Sequence, residues 1–471
     1  MAQSKSHRGG SDLPARDFGA RSPAGPLEVE AERTVLSPDL SLERSVVRVD
    51  GGRIVEIASL EGRRDVGVAS RTRGADSPRA RLVLTSGVLI PGLVNAHAHL
   101  DLTALAGRID GSRGFLPWVR GLVALRSRLD GNEQREAVRA GIEASIRSGT
   151  TSIGDIDSFG VSWREIARGG LRGVAYRELL GFSPAAIEAA RVAAAAWLEQ
   201  PLPAPSRLAK GFSPHAPYST SIELYALACQ VGRSPETALC THAAETREER
   251  TFLERGEGEM AELLRALSPT GDRLPFPRQG PVQFLAESRF LGPTRALVHA
   301  NYLSPDEMDL IATARSPVIY CPRSHLFFGH ERHPVAELLA RGVTVALGTD
   351  SLASNTTLGI LDEMAAVRQL RRDLEPGAVL AMATTGGARA LGLRHTGVLA
   401  PGAHADLVGL SGPTPLPRAH EELLDWVMSG EVTVVLCMVG GEVLAQAGAT
   451  RVVVEGDSGS VPGAREALRL S

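Results

Sequence analysis

Pro91-Gly92-Leu93-Val94-Asn95-Ala96-His97-Ala98-His99-Leu100 is the stretch on which the reading of this chain turns. Side chains alternate along a strand, so His97 and His99 point the same way. Two same-facing neutral imidazoles make half of a divalent-metal site. The run before them, Arg81 to Ile90, is apolar and β-branched and stops at Pro91-Gly92. A strand and a turn are therefore expected to deliver the pair to a rim.

Outward from that motif, between about 91 and 395, short apolar runs alternate with helical stretches. Such alternation favours a parallel sheet with crossover helices. Asn132 to Ser148 reads as a helix, followed by a strand from Gly149 to Asp155. Further strands are expected at Gly173–Glu178, Ala209–Ser213, Ala238–His242, Ala296–His299, Val318–Cys321 and Val343–Leu347. With the strand before His97 the count reaches about eight, the number of a (β/α)8 TIM barrel. The α/β core is flanked by short alternating runs at 27–90 and 396–455, with a hairpin signal at Asp50-Gly51-Gly52. We read these flanks as one small composite β-sandwich built from both termini. Residues 1–26 are polar and rich in Gly, Ser and Pro, and read as a disordered leader; 456–471 reads as a loosely held tail.

A length of 471 residues suits a barrel of about 250 to 400 residues with a smaller attached domain. The formal charge of −3, with Lys scarce beside Arg, disfavours nucleic acid as a partner. Cys229, Cys240, Cys321 and Cys437 form no C-x-x-C pair, which fits a reducing cytoplasm. No secretory signal and no membrane span are expected, since no apolar run reaches the required length.

Four more polar residues recur at expected strand ends: His215, His242, His299 and Asp350. The carboxyl ends of barrel strands converge on one face, so residues far apart in sequence meet there. His97, His99, His242 and Asp350 then offer three imidazoles and a carboxylate. That donor set suits Zn²⁺, with Fe²⁺, Co²⁺ and Mn²⁺ as competitors. A divalent ion lowers the pKa of a bound water toward about 7, which points to hydrolysis. Glu245 lies three residues after His242, so the strand must end near His242 for Glu245 to turn into the mouth and shuttle a proton. His299 would hold the attacking hydroxide or a developing oxyanion. Glu245, His299 and Asp350 share the proton transfers in this reading. Glu248 and Glu249 are expected on a solvated helix face, and Asp155 and Asp157 as strand-end hydrogen-bond acceptors.

Six ordered motifs carry a resemblance: Pro91 to Leu100, Ser213-Pro-His-Ala-Pro-Tyr-Ser219, Thr241-His-Ala-Ala-Glu245, Val298-His299, Cys321-Pro-Arg-Ser324 and Gly348-Thr-Asp-Ser-Leu-Ala-Ser-Asn355. Together they resemble the amidohydrolase superfamily, in its deaminase and chlorohydrolase-like branch, over about 27 to 450. The resemblance implies a (β/α)8 barrel with a composite sandwich and one divalent metal, Zn²⁺ with Fe²⁺ as the alternative. It implies hydrolytic removal of an amino or halide substituent from a nitrogen heterocycle. His97, His99, His242 and Asp350 are then the ligands, Glu245 the proton shuttle and His299 the second catalytic group. His215 falls where related enzymes contact substrate, and a bridging carbamylated lysine is not expected, since Lys210 precedes the motif.

Within the branch, His215–Ser219, Thr241–Glu249, Ser351–Asn355 and Leu361–Glu363 are similar to aminodeoxyfutalosine deaminases. S-adenosylhomocysteine and methylthioadenosine deaminases carry much of the same set. Many relatives read Cys-Pro-x-Ser-Asn where this chain has His325 after Ser324. Ser324, His325 and Trp118, with Phe115, Phe327 and Phe328 as stacking surfaces or loop packing, complete the candidate substrate contacts. The expected reaction is release of ammonia from an adenine-type nucleoside, aminodeoxyfutalosine first, with guanine, cytosine and halogenated triazines also in contention. A homodimer follows from the resemblance. The reading from another class is a silent barrel acting as a scaffold, which would normally have lost its ligands.

Overall fold

The computed structural model describes residues 26–60, 80–204, 206–232, 237–267, 274, 277–447 and 450–453. The expected leader, apart from Pro26, and the expected tail lie outside them. Strands β1 (Leu27–Ser37), β2 (Leu40–Asp50) and β3 (Arg53–Ser59) run as an antiparallel meander. Asp50-Gly51-Gly52 makes the tight turn between β2 and β3, with Gly51 at φ 53° and Gly52 at φ 75°, a conformation glycine reaches without steric cost. Strand β4 (Ala80–Pro91) then lies parallel to β1.

The next eight strands form a parallel barrel in chain order: β5 (Leu93–Ala98), β6 (Thr150–Asp157), β7 (Arg172–Leu179), β8 (Leu208–Pro214), β9 (Leu239–Ala243), β10 (Arg295–His299), β11 (Val318–Tyr320) and β12 (Val345–Leu347). Val94, Ala96, Val174, Tyr176, Cys240 and Val298 belong to the cluster that fills its interior. The outer helices pack on the other face of the strands. One of them, Gly131–Arg147, is held at its start by reciprocal bonds between Asp130 and Glu133, a capping box. The seam between β12 and β5 closes through the main chain, where Thr349 and Asp350 donate N–H groups to the His97 carbonyl at 3.0 and 3.1 Å. Asn95 and Thr349 reinforce it, with amide and hydroxyl 2.7 Å apart.

The sequence reading of the segment before His97 needs correction. Arg81–Ile90 lies in β4, which belongs to the outer sheet, and the histidines are carried by the separate strand β5. The switch falls at Gly92, where a Cβ would lie 2.2 Å from Thr151 Oγ1. Two buried apolar strands in direct succession look like one strand and a turn when read as sequence.

After the barrel, β13 (Leu407–Ser411), β14 (Thr433–Val439), β15 (Glu442–Gln446) and β16 (Thr450–Val453) return to the outer sheet, whose order is β15-β14-β13-β4-β1-β2-β3 with β16 on β4. Both ends of the chain thus build one composite, largely antiparallel sheet. A register shift in the β1–β4 pairing, with Ser86 at φ 51°, divides β4. Its first half pairs with β16 and its second with β13. A helix at His420–Val427 joins β13 to β14. Among the described residues, no helix is long and apolar enough to cross a membrane, and no disulfide is formed.

A buried ion pair ties the sheet to the barrel. Arg172, at the start of β7, meets Asp406 at 2.7 and 3.2 Å, and Asp406 also accepts from the Gly440 N–H at 2.8 Å. Removing one partner leaves a buried charge without compensation. Asp406→Ala is expected to lower unfolding free energy by about 3–5 kcal/mol, read from urea denaturation; an unchanged midpoint would show that the pair does not hold the two layers.

Candidate active site

The strand ends place the polar side chains by breaking the regular backbone. In β5 the pairing register slips between Asn95 and Ala98. Val94 and Ala96 fill the barrel, yet His97 and His99 both reach its mouth, because the irregularity resets the alternation. Leu100 N–H donates to Asp155 Oδ1 at 2.9 Å, pinning the chain just beyond His99. At the end of β9 the chain turns through Ala244 at φ 52°, which swings Glu245 back over the mouth. His299, Ala300 and Asp350 also have left-handed φ, at 71°, 53° and 59°. Each such non-glycine residue costs on the order of 1–3 kcal/mol and persists only where its surroundings hold it.

The structure gathers His97, His99, His242, His299, Glu245 and Asp350. Their ring nitrogens and carboxylate oxygens form two groups that share His97: His97 with His242 and His299, and His97 with His99 and Asp350. Within each group the ligating atoms lie within 4.8 Å of one another. Asp350 Oδ1 is 3.7 Å from Nε2 of both His97 and His99. Glu245 Oε1 is 3.4 Å from His299 Nε2.

Hydrogen bonds fix the orientation of this set. His242 Nδ1 lies 2.8 Å from the His215 carbonyl. A carbonyl only accepts, so Nδ1 carries the proton and Nε2 keeps its lone pair for the mouth. Ser324 and Ser354 hydroxyls donate to Asp350 Oδ2 at 2.7 and 2.8 Å, leaving Oδ1 to face the histidines. His333 Nε2 donates to the His299 carbonyl at 2.8 Å. Asn301 donates to the Glu245 carbonyl at 3.0 Å, and its own amide oxygen takes the His325 Nδ1 proton at 3.0 Å.

Both ring nitrogens of His97 are buried and have no hydrogen-bond partner among the described residues. A buried polar atom left so costs about 1–3 kcal/mol, unless something takes its lone pair. The two donor groups that meet at His97, three imidazoles in one and two imidazoles with a carboxylate in the other, have the chemistry of divalent-cation ligands. Burial drives the pKa of His99 down to about 3, helped by His97, and that of His299 to about 3. Burial also holds His242 well below the usual imidazole range, with His215 and His97 adding to it. These rings stay neutral, as metal ligands must be. Burial opposes ionisation of Asp350 too, but the imidazoles gathered around it, His97 first, prevail and hold its carboxyl below the usual carboxylate range. Glu245 goes the other way: burial first, then the charges of Asp350 and Glu249, push it well above that range. Two carboxyl groups in one mouth with pKa values driven apart have the character of an acid–base pair.

The remaining sequence candidates take other positions. His215 sits 5.0 Å from the His242 ring and is held by Ser219 Oγ at 2.5 Å. Trp118, expected against substrate, is buried; its indole N–H bonds the Ala353 carbonyl at 2.9 Å and its ring packs on Phe115 and Phe328. Ser324, expected as a substrate contact, commits its hydroxyl to Asp350. His325 acts on Asn301, as above. Glu248 is exposed, but Glu249 is fully buried, because it accepts the N–H groups of Ala244 and Glu245 at 3.1 and 2.7 Å. That correction is physical: the tight turn after β9 leaves two N–H groups that need an acceptor. Ser354, Asn301 and Glu178 were not singled out in sequence. The first lies four residues from Asp350 and the second two from His299, a proximity that was the available signal.

A model of the amidohydrolase family matches residues 88–444. The chain is 31% identical over 403 residues to a 5-methylthioadenosine/S-adenosylhomocysteine deaminase of Nitratidesulfovibrio vulgaris (strain Miyazaki F), covering 81% of this chain and 85% of that one. It is 33% identical over 333 residues to an aminodeoxyfutalosine deaminase of Deinococcus radiodurans, covering 67% and 76%. The fold is that of a zinc-bound adenosine deaminase from Xanthomonas campestris, with a TM-score of 0.73, 23% identity and coverage of 88% and 92%.

Two hydroxyls holding one carboxylate oxygen should matter for cation affinity, since removing such supporting bonds typically weakens binding about 10- to 100-fold. The double variant Ser324→Ala/Ser354→Ala is expected to fall in that range when zinc is titrated against a competing chelator. Affinity equal to that of the unchanged protein would mean that Asp350 needs no such support.

Proposed function

We propose, from the premise that the chain belongs to the amidohydrolase family, that it is a hydrolytic deaminase releasing ammonia from an adenine nucleoside. The observation that carries this reading is the pair of donor groups that share His97, one with His242 and His299 and the other with His99 and Asp350, with Glu245 3.4 Å from His299 beside them. A scaffold protein has no need of that arrangement. The relatives are named for deaminases of methylthioadenosine, S-adenosylhomocysteine and aminodeoxyfutalosine. We take the adenine nucleoside as the substrate class here, with aminodeoxyfutalosine and the two thioether nucleosides as its leading members.

His97, His99, His242 and Asp350 would hold the cation, and nitrogen-rich donors of this kind favour Zn²⁺, with Fe²⁺ as the competitor. When bound, such an ion acidifies a water toward a pKa of about 7 and polarises what it touches. The rest falls to the protein. Glu245 Oε1 takes one proton of the attacking water and passes it to a ring nitrogen; the second, released as the added hydroxyl becomes the ring carbonyl, goes to the departing amino group. Its raised pKa suits both halves of that task. His299 Nε2 orients the attacking oxygen and stabilises charge as the ring carbon becomes tetrahedral. The C–N bond then breaks, ammonia leaves and the ring carbonyl forms. His215, beside His242, is placed to meet the base. Four cysteines scattered through the sequence with no C-x-x-C pair suit a reducing cytoplasmic setting.

The test is ammonia release from a panel of aminated heterocycles, with metal content measured on the same sample. One equivalent of metal and turnover of an adenine nucleoside are expected; a metal-free, inert preparation would leave the scaffold reading. His97→Ala and Asp350→Ala are expected to lose metal and activity together. Glu245→Gln should keep the metal and lose about 10²- to 10⁴-fold in kcat. Near-normal turnover by Glu245→Gln would remove that side chain from the proton path.

A further inference from the structure

Of the polar side chains that the barrel strands aim into the mouth, Glu178 stands outside the catalytic set. In β7, Val174 and Tyr176 lie in the barrel interior, and strand alternation aims Glu178, two residues on, into the mouth above them. The register confirms its height: Glu178 is opposite Ser213 on β8, one pair below the point where Leu179 meets Pro214 and His215 follows. It is half-buried. Among the described residues it forms no ion pair within 4.0 Å, with the Ser158 hydroxyl beside it. Although burial opposes its charge, its surroundings, the Arg126 guanidinium and the Ser158 hydroxyl among them, hold its carboxyl below the usual carboxylate range. Arg126 is itself engaged by Asp101 at 2.9 Å and lies 4.5 Å over the Phe159 ring.

An ionised carboxylate facing ligand space offers two acceptor oxygens and no donor. Its complement is a group with two neighbouring O–H or N–H donors. Around the rim, Glu178, His215 and His242 stand on the consecutive strands β7, β8 and β9. Two strand spacings separate Glu178 from His242, about 10 Å, which is the scale of a nucleoside from the amino group of its base to the far edge of its sugar. Acidic side chains elsewhere recognise ribose through its hydroxyls. Building on the nucleoside reading of the preceding subsection, we infer that Glu178 determines specificity for the sugar, accepting hydrogen bonds from its vicinal 2′- and 3′-hydroxyls. The base then lies toward His242 with His215 between, and substrates without the diol leave a half-buried charge unanswered.

The test compares kcat/KM for adenosine and 2′,3′-dideoxyadenosine in the zinc-loaded full chain and in Glu178→Ala, with metal content measured in each. The unchanged enzyme is expected to prefer adenosine about 10- to 100-fold, the range of a charged hydrogen bond. In Glu178→Ala that ratio should collapse toward one, mainly through KM, with metal retained. Should Glu178→Ala fail to fold, the isosteric Glu178→Gln is compared in its place and should narrow the ratio in the same direction. A ratio that is the same with and without the carboxylate would overturn the assignment of Glu178 while leaving the deaminase reading standing. Absence of ammonia from these two and from every other adenine nucleoside of the panel in the zinc-loaded unchanged enzyme would sink both.

Discussion

Everything at the mouth depends on how the barrel closes. The seam between the first and last strands is made where Thr349 and Asp350 donate their N–H groups to the carbonyl of His97. The bonds that complete the cylinder therefore also bring the carboxylate of Asp350 to 3.7 Å from His97 and His99. Closure and site assembly are one event. A barrel that failed to close would lose the cation-binding geometry before any side chain had changed.

Around that seam, departures from regular strand backbone do most of the aiming. A register slip in β5 brings two histidines over the mouth, and left-handed residues follow or end β9, β10 and β12. Such conformations cost energy that the surrounding bonds must offset. Glu249 caps the N–H groups of the turn at Ala244 and Glu245, and the two serines hold Asp350. Those residues touch no substrate in this scheme, yet the acid–base pair and the cation donors keep their places because of them. Burial then sets the chemistry, leaving the imidazoles neutral and Glu245 inclined to hold a proton.

The sequence contained the order of the eight strands, because each is a short apolar run bounded by turn residues, and it contained the two-ended construction of the outer sheet. It contained the histidines, Glu245 and Asp350 as well, since strand-end polar residues in an α/β pattern are conspicuous against their apolar neighbours. The expected end of the strand near His242, one residue short of the observed end at Ala243, followed from the spacing to Glu245.

What tertiary structure alone decided is equally specific. Arg81–Ile90 and Leu93–Ala98 are alike in composition, and only their partners assign one to the sheet and the other to the barrel. Trp118 and Ser324 carry groups able to meet a substrate, but neighbours at Ala353 and Asp350 claim them first. Glu249 reads as one more charge on a helix until the turn before it presents two N–H groups. Local sequence fixes which residues are polar and how they alternate; long-range pairing fixes which of their hydrogen bonds are already taken, and so which atoms are left for chemistry.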